Sequence, residues 1–242
     1  SQQMDELLNV SQKGTVIFSF GTQVPADRYP AQLRETIVDS FKNFPDYTFL
    51  WKFDGTSKTN ASNVINVNWM PQNDLLNDPR VVGFISHMGL NSYLESASAG
   101  VPVVSIPLFA DQMHNAKCAE HLGMSVIVPK YSITVESLTT AIRKILHDER
   151  YRERSAEVAR MLTAYPDDPR DVLVESLEYA AQFKNLAHHF TLAGARRSFL
   201  VHLSWDVAFF LFASLSAFLL ILISIVVYLV RLILVTKKSK RE

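Results

Sequence analysis

The stretch "VVGFISHMGLNSYLESASAGVPVVSIP", from Val81 to Pro107, holds two apolar, β-branched runs on either side of a polar segment. The runs cover residues 81–86 and 101–107, and the segment between them has the pattern of a turn followed by a helix. Short apolar runs joined through a helix predict a strand–helix–strand unit whose two strands lie parallel. This unit indicates an α/β fold.

The same alternation continues on both sides of this unit. Other short apolar runs predict strands at 15–20, 47–53, 63–69 and 125–129, and helical patterns cover 30–44, 135–147, 150–162 and a stretch that ends near 184. Strands that alternate with helices predict a parallel sheet, and strands that are apolar along their whole length indicate helices on both faces. The predicted fold class is therefore α/β with a parallel sheet.

Composition limits the classes of function. The chain has 242 residues, with 24 basic and 24 acidic side chains and no net formal charge. This balance leaves no electrostatic footprint for nucleic acid, so we expect no nucleic-acid partner. A single cysteine, Cys118, excludes an internal disulfide and a cysteine-rich zinc site.

An uncharged run near the end of the chain predicts a membrane anchor. Residues 207–230 carry no charge, and 24 residues of helix span about 36 Å, more than the hydrocarbon core of about 30 Å. Trp205 and Tyr228 lie where aromatic side chains favour the two interfaces, and Arg231 begins a basic tail. These features predict one transmembrane helix with a cytoplasmic C-terminus and the main body outside the cytosol.

The ends of the chain carry further signals. Lys238 and Lys240 resemble a dilysine signal for return to the endoplasmic reticulum, although a positive-inside cluster would look nearly the same. Asn9 and Asn60 begin N-glycosylation triplets, of which Asn60 lies in the more polar stretch. Because the chain begins at Ser1, we expect either a removed signal peptide or a fragment.

The predicted strands select candidate site positions. In open α/β sheets, ligands bind beyond the carboxyl ends of the strands, where loops lead into helices. Polar or aromatic residues gather at four such places, namely Gly21–Thr22, Trp69–Gln72, His87–Ser92 and Phe109–Gln112. These four places form the candidate site.

Two of the four places suit a phosphate group. Gly21 lets the backbone approach a ligand, and Thr22 adds a hydroxyl. The further glycines of a dinucleotide-binding fingerprint are missing, which disfavours a nicotinamide-dependent enzyme. A phosphate could bind at the helix start formed by Asn91 and Ser92, with His87 as a further donor. Taken alone, Asn91 and Ser92 favour the alternative of simple N-capping, which both residue types commonly provide.

The other places suit a base and sugars. Trp69 offers a flat surface for a base, or it is a core tryptophan. Glu95 could accept hydrogen bonds from the hydroxyls of a ribose, or it is a solvated surface charge. Asp111 and Gln112 could bind sugar hydroxyls, or they only mark another helix start. Together these residues would suit a nucleotide-sugar.

The run "WMPQNDLLNDPRVVGFISHMGLNSYLESASAGVPVVSIPLFADQ", from Trp69 to Gln112, closely resembles the signature of the UDP-glycosyltransferases, specifically the membrane-bound UDP-glucuronosyltransferase group. "SFGT" at 19–22 and "LWKFDG" at 50–55 extend the resemblance, with Lys52 where relatives often carry arginine and Met88 in place of a common glycine. The resemblance implies that Trp69 stacks on uracil, that Gln72 lies beside the base or ribose, and that Glu95 binds the ribose. It also implies that Asp111 and Gln112 bind the sugar. The diphosphate would be held by Gly21, Thr22, His87, Gly89, Asn91 and Ser92.

The resemblance also implies a mechanism. The family fold, GT-B, has two Rossmann-like halves, and the present chain would be the C-terminal, donor-binding half followed by the anchor. The reaction is an inverting transfer from a UDP-sugar, a co-substrate, with no cofactor and no metal. The N-terminal half carries the base and binds a small lipophilic acceptor. We therefore expect this chain to contain no catalytic base, to bind the UDP-sugar and to turn over poorly alone.

The predicted domains are a UDP-sugar-binding domain at 1–185, a juxtamembrane segment at 186–206, the transmembrane helix at 207–230 and the cytoplasmic tail at 231–242. The expected location is the membrane of the endoplasmic reticulum. The sequence leaves open whether the donor is UDP-glucuronate or UDP-glucose, whether the acceptor half is supplied in cis or in trans, and whether the chain forms homo- or hetero-oligomers. A non-catalytic membrane-anchored partner of complete relatives remains an alternative.

Overall fold

The computed structural model describes residues 2–22, 24–53, 59–183 and 191–239. The chain divides into two compact units, residues 1–166 and 167–242. The predicted domain limit at residue 185 lies outside the described residues, and the four predicted domain ranges stay a prediction.

The first unit contains a six-stranded, entirely parallel sheet, as predicted. Its strands run in the order β3-β2-β1-β4-β5-β6, which is the strand order of the Rossmann fold. The pairing of Ser19 with Ser86 brings the carboxyl ends of the two central strands to the same level. The strands are β1 (Thr15–Ser19), β2 (Thr48–Lys52), β3 (Val64–Val67), β4 (Val81–Ser86), β5 (Val103–Ser105) and β6 (Ser125–Ile127).

Helices pack on both faces of the sheet. The predicted helix at 135–147 has these bounds in the structure, whereas the first predicted strand ends one residue early, at Ser19. The helices of the first unit are α1 (Gln2–Leu8), α2 (Ala31–Lys42), α3 (Gln72–Leu76), α4 (Leu90–Ala99), α5 (Gln112–His121), α6 (Val135–His147) and α7 (Glu149–Thr163).

Alternate strand residues supply two separate apolar layers. Phe18 packs in the layer with α2 and α6, and its neighbour Ile17 packs in the opposite layer with α4, α5 and α7. In the first layer, the rings of Phe41 and Phe49 stack at 4.0 Å with an angle of 7° between their planes. Because both faces are buried, the central strands form a rigid support for the loops that follow them.

The described residues of the second unit are mainly helical. α8 (Pro169–Gln182) begins after Asp168, whose side chain accepts a hydrogen bond from the Arg170 amide at 2.8 Å. It is followed by α9 (Phe199–His202) and α10 (Trp205–Ser239). Within α10, the 27 residues 205–231 contain an 18-residue stretch with a mean hydropathy of 2.8.

This part of α10 is, among the described residues, the one helix long and apolar enough to cross a membrane. It contains the predicted span 207–230, which confirms the predicted apolar helix at this position. The predicted retrieval signal includes Lys240, which lies outside the described residues.

Candidate functional site

A cleft of about 740 Å³ opens at the carboxyl ends of β1 and β4. These are the two strands on either side of the point where the strand order reverses, the usual ligand position in an open α/β sheet. The structure brings all eleven predicted site residues together in the lining of this cleft. They are Gly21, Thr22, Trp69, Gln72, His87, Gly89, Asn91, Ser92, Glu95, Asp111 and Gln112.

The imidazole of His87 lies between two glycines. A Cβ atom on Gly21 would stand 3.0 Å from its Cε1, and a Cβ atom on Gly89 would stand 2.7 Å from its Nε2. Gly21 also has a φ of +75°, which other residues rarely adopt, whereas Gly89 has an ordinary φ of −58°. Glycine is therefore required at position 89 by the space that His87 occupies and not by the backbone.

Burial sets the protonation of His87. Desolvation lowers the pKa of its imidazole, while the main chain of Ser19 and the charge of Asp111 partly oppose this effect. The buried Nδ1 atom forms no hydrogen bond of normal geometry within the described part of the chain, so the Ser19 contact is a weak one. The neutral ring is therefore favoured at neutral pH in the free protein.

The turn after β4 places a helix N-terminus beside His87. Met88 adopts a left-handed φ of +63°, its side chain is fully buried, and its amide donates to Ser86 Oγ at 3.0 Å. Burial of the Met88 side chain accounts for methionine at a position where glycine would suit the backbone better. α4 then begins at Leu90, which leaves the unpaired amides of its first turn available to an anion.

The capping alternative for Asn91 and Ser92 is wrong. Gly89 occupies the N-cap position and has no side chain, so Asn91 and Ser92 are the second and third residues inside α4. The Ser92 hydroxyl oxygen accepts a hydrogen bond from Gln72 Nε2 at 3.2 Å. Its hydroxyl hydrogen is left to donate to a ligand.

The surface-charge alternative for Glu95 is also wrong. The side chain is partly buried, and its Oε2 accepts a hydrogen bond from Gln72 Nε2 at 2.6 Å. A single amide thus fixes both Ser92 and Glu95. The sequence predicted both Gln72 and Glu95 as site residues but not the contact between them.

Trp69 is not a core residue. Its side chain is 69% exposed and lines the cleft immediately after β3. An indole so exposed at the wall of a cleft is available to a flat ligand, because the ring gains contact area when it is covered.

Asp111 and Gln112 differ in what they can offer. Asp111 holds the N-cap position of α5 but makes no capping hydrogen bond with its side chain. Gln112 is 4% exposed, and its Oε1 accepts from the amides of Leu108 at 2.8 Å and Phe109 at 3.1 Å. The amide oxygen of Gln112 is therefore occupied by the loop, and only its NH₂ group could serve a ligand.

Sequence reasoning missed Asn115. This residue is buried on α5, and its Nδ2 donates to Asp111 Oδ2 at 2.9 Å. The spacing of Asp111 and Asn115 could have indicated this contact, because residues four apart on a helix lie on one face and an amide there can donate to a carboxylate.

Known proteins resemble this chain in sequence. The family model "UDP-glucoronosyl and UDP-glucosyl transferase" matches residues 1–241. The chain is 30% identical to UDP-glucosyltransferase 2 of Dactylopius coccus over 89% of its length and 42% of that protein. It is 36% identical to human UDP-glucuronosyltransferase 1A6 over 78% of its length and 35% of that protein. It therefore spans less than half the length of these relatives.

Two solved structures also match this chain. The glycotransferase of kitacinnamycin matches with a TM-score of 0.60 and 25% identity, over 69% of this chain and 44% of that one. Os79 from O. sativa, solved in complex with UDP, matches with a TM-score of 0.55 and 25% identity, over 64% of this chain and 37% of that one. These matches and the sheet order support the predicted fold class.

The electrostatic arrangement around His87 leads to a first prediction. Because the charge of Asp111 raises the pKa of His87, the Asp111→Asn substitution should lower that pKa further. Asp74→Asn, which removes a different carboxylate of the cleft, should leave it unchanged. The measurement is an NMR titration of the histidine ring carbons in the full chain, with His87→Gln used to assign the signal.

The pKa of His87 also makes the stability of the fold depend on pH. Because the His87 pKa is lower in the folded chain, the unfolded chain binds the proton more readily, and stability falls as the pH drops through the unfolded pKa of about 6.5. A His87 pKa that rises in Asp111→Asn would contradict this account.

Proposed function

Because the chain belongs to the UDP-glucoronosyl and UDP-glucosyl transferase family, we propose that it is the donor-binding half of an inverting glycosyltransferase. The reaction transfers a sugar from UDP-glucuronate or UDP-glucose to a small lipophilic acceptor. The observation that supports this proposal best is the single cleft that contains a base-sized aromatic surface, a fixed carboxylate and a helix N-terminus.

The nucleoside binds at the wall formed by Trp69 and Glu95. Uracil stacks on the exposed indole of Trp69. The ribose hydroxyls donate to the Glu95 carboxylate, which Gln72 holds in place at 2.6 Å. A carboxylate with a fixed orientation recognises paired hydroxyls at a lower entropic cost than a mobile one.

The diphosphate binds over the N-terminus of α4. The first-turn amides, the Ser92 hydroxyl and Asn91 donate hydrogen bonds, and the helix dipole favours the negative charge. His87 contacts the diphosphate from the turn after β4, and Gly21 and Thr22 approach it from the end of β1. The diphosphate raises the pKa of His87 in the complex, because a nearby negative charge favours the imidazolium.

The sugar lies toward α5. Asp111 accepts hydrogen bonds from sugar hydroxyls, and the NH₂ group of Gln112 donates one. This assignment places the sugar carbon that reacts between the diphosphate subsite and the open side of the cleft.

The base that deprotonates the acceptor lies outside this chain. Among the described residues, His87 is the histidine of the cleft, and the proposed role assigns it to the diphosphate. The relatives are more than twice as long as this chain, and the additional length provides room for an acceptor-binding half. General-base catalysis contributes about 10²- to 10⁴-fold in rate, so this chain alone should turn over poorly.

The protein is a single-pass protein of the endoplasmic reticulum membrane, with the first unit on the lumenal side. The apolar part of α10 supports the anchor; it ends at Arg231, and Lys237 and Lys238 follow. Short basic segments favour the cytoplasmic side.

A binding titration tests the donor proposal. Calorimetry of the full chain in detergent should show binding of UDP, and Trp69→Ala should weaken it about 5- to 150-fold, equivalent to about 1–3 kcal/mol of stacking. Glu95→Ala should weaken it as well, through loss of the ribose contact. Trp205→Ala, an exposed tryptophan of the second unit, is the matched control and should bind like the parent. Unchanged affinity in both Trp69→Ala and Glu95→Ala would contradict the proposed site.

Protease protection tests the orientation. In sealed microsomes, trypsin should remove an epitope tag fused after Glu242 and leave the first unit intact. Digestion of the first unit without detergent would contradict the lumenal placement.

Glycosylation gives a second readout of the orientation. Asn60 and Asn9 are both exposed, but Asn9 Oδ1 accepts a hydrogen bond from Arg80 at 2.7 Å, which holds the Asn9 side chain against the domain. We expect a glycan that Asn60→Gln removes and that the matched control Asn9→Gln leaves in place.

A further inference from the structure

Asn115 lies beneath the cleft and connects two of its walls. It is 6% exposed. Its Nδ2 donates to the Met88 carbonyl oxygen at 3.1 Å and to Asp111 Oδ2 at 2.9 Å. One side chain therefore contacts the turn that precedes α4 and the carboxylate that precedes α5.

The orientation of the Asn115 amide follows from its partners. A carbonyl oxygen and a carboxylate oxygen both accept hydrogen bonds, and an amide NH₂ group has two hydrogens to donate, one for each. The opposite orientation of the amide would place its oxygen against both acceptors. The two hydrogen bonds therefore form together.

The first hydrogen bond fixes the turn at Met88. The peptide between Met88 and Gly89 is planar and trans, so a fixed carbonyl direction also fixes the direction of the Gly89 N–H. Met88 has a left-handed φ of +63°, a conformation that its surroundings must maintain. Asn115 thus helps to set the backbone on which the first turn of α4 is built.

The second hydrogen bond fixes the carboxylate of Asp111. This side chain lies on an exposed part of the cleft wall and makes no capping hydrogen bond with α5. Asn115 engages Oδ2, so Oδ1 is the oxygen left for a ligand. A hydrogen bond to a charged acceptor is stronger than a neutral one and holds the carboxylate in one rotamer.

We propose that Asn115 is a positioning residue of the donor site, which holds the sugar-facing Asp111 carboxylate in a fixed relation to the diphosphate-facing turn at Met88. This inference rests on the proposed function. Its consequence is that the affinity for a UDP-sugar depends on Asn115 more strongly than the affinity for UDP, because Asp111 contacts only the sugar.

The test compares two ligands in the full chain in detergent. Asn115→Leu removes both donors at similar volume and adds no charge. We expect its affinity for UDP-glucose to fall about tenfold or more and its affinity for UDP to fall about threefold or less, both measured by calorimetry. Equal losses for the two ligands, or no loss for UDP-glucose, would overturn the inference.

A double-mutant cycle separates positioning from a general structural role. If Asn115 acts through Asp111, Asn115→Leu should cost less than about threefold in UDP-glucose affinity in the Asp111→Ala background. The same tenfold loss in both backgrounds would show that Asn115 acts by another route.

Asn63 offers a matched control. Its Nδ2 also donates two hydrogen bonds, to the carbonyl oxygens of Phe41 at 2.9 Å and Phe44 at 3.1 Å, and it does not line the cleft. Asn63→Leu should lower thermal stability but leave both affinities unchanged. If Asn115→Leu shows no unfolding transition, Asn115→Ser, which keeps one donor, takes its place in the same comparison.

The parent chain distinguishes this inference from the proposed function. A parent that binds neither UDP nor UDP-glucose overturns the proposed function and the inference together. A parent that binds both, with UDP-glucose affinity retained in Asn115→Leu, overturns the inference alone.

Discussion

The space that Gly21 and Gly89 leave around the His87 imidazole is the constraint on which the site depends. The ring lies at the point where the two central strands end, within 3.0 Å of where either Cβ would stand. A side chain at either position would move the ring or the loop that carries it. Because the amides of α4 follow the same loop, the fit of His87 also determines where the helix N-terminus meets the cleft. The parallel sheet, buried on both faces, gives these loops a support that does not shift.

Two side-chain amides organise the polar groups around this centre. Gln72 reaches from α3 to Ser92 and Glu95 on α4, and Asn115 reaches from α5 to the turn at Met88. Each amide joins its own helix to a neighbouring element, so the cleft is pre-organised before any ligand binds. Polar groups held in this way lose little further entropy on binding, which favours recognition of a ligand with many hydroxyl and phosphate oxygens.

The strands and the positions of the site could be predicted from the sequence, because both produce local sequence patterns. Apolar runs predicted all six strands, and the four places after those runs, together with Glu95 on the following helix and the family resemblance, predicted the eleven cleft residues. The exposure of side chains and the long-range contacts could not be predicted in this way. The core alternative for Trp69 and the capping alternative for Asn91 could be rejected only when exposure and the start of α4 were known. The hydrogen bond from Gln72 to Glu95 joins residues 23 positions apart, and no spacing rule predicts such a pair.

The central claim is that the uracil of a UDP-sugar lies against Trp69. The most direct measurement is photolabelling of the full chain with a UDP-glucose analogue that carries an azide on the uracil ring, followed by digestion with trypsin and mass spectrometry. The account predicts that the label falls in the tryptic peptide 59–80, which contains Trp69, and that excess UDP prevents it. Label that falls mainly on other peptides, or that UDP does not displace, would contradict the account.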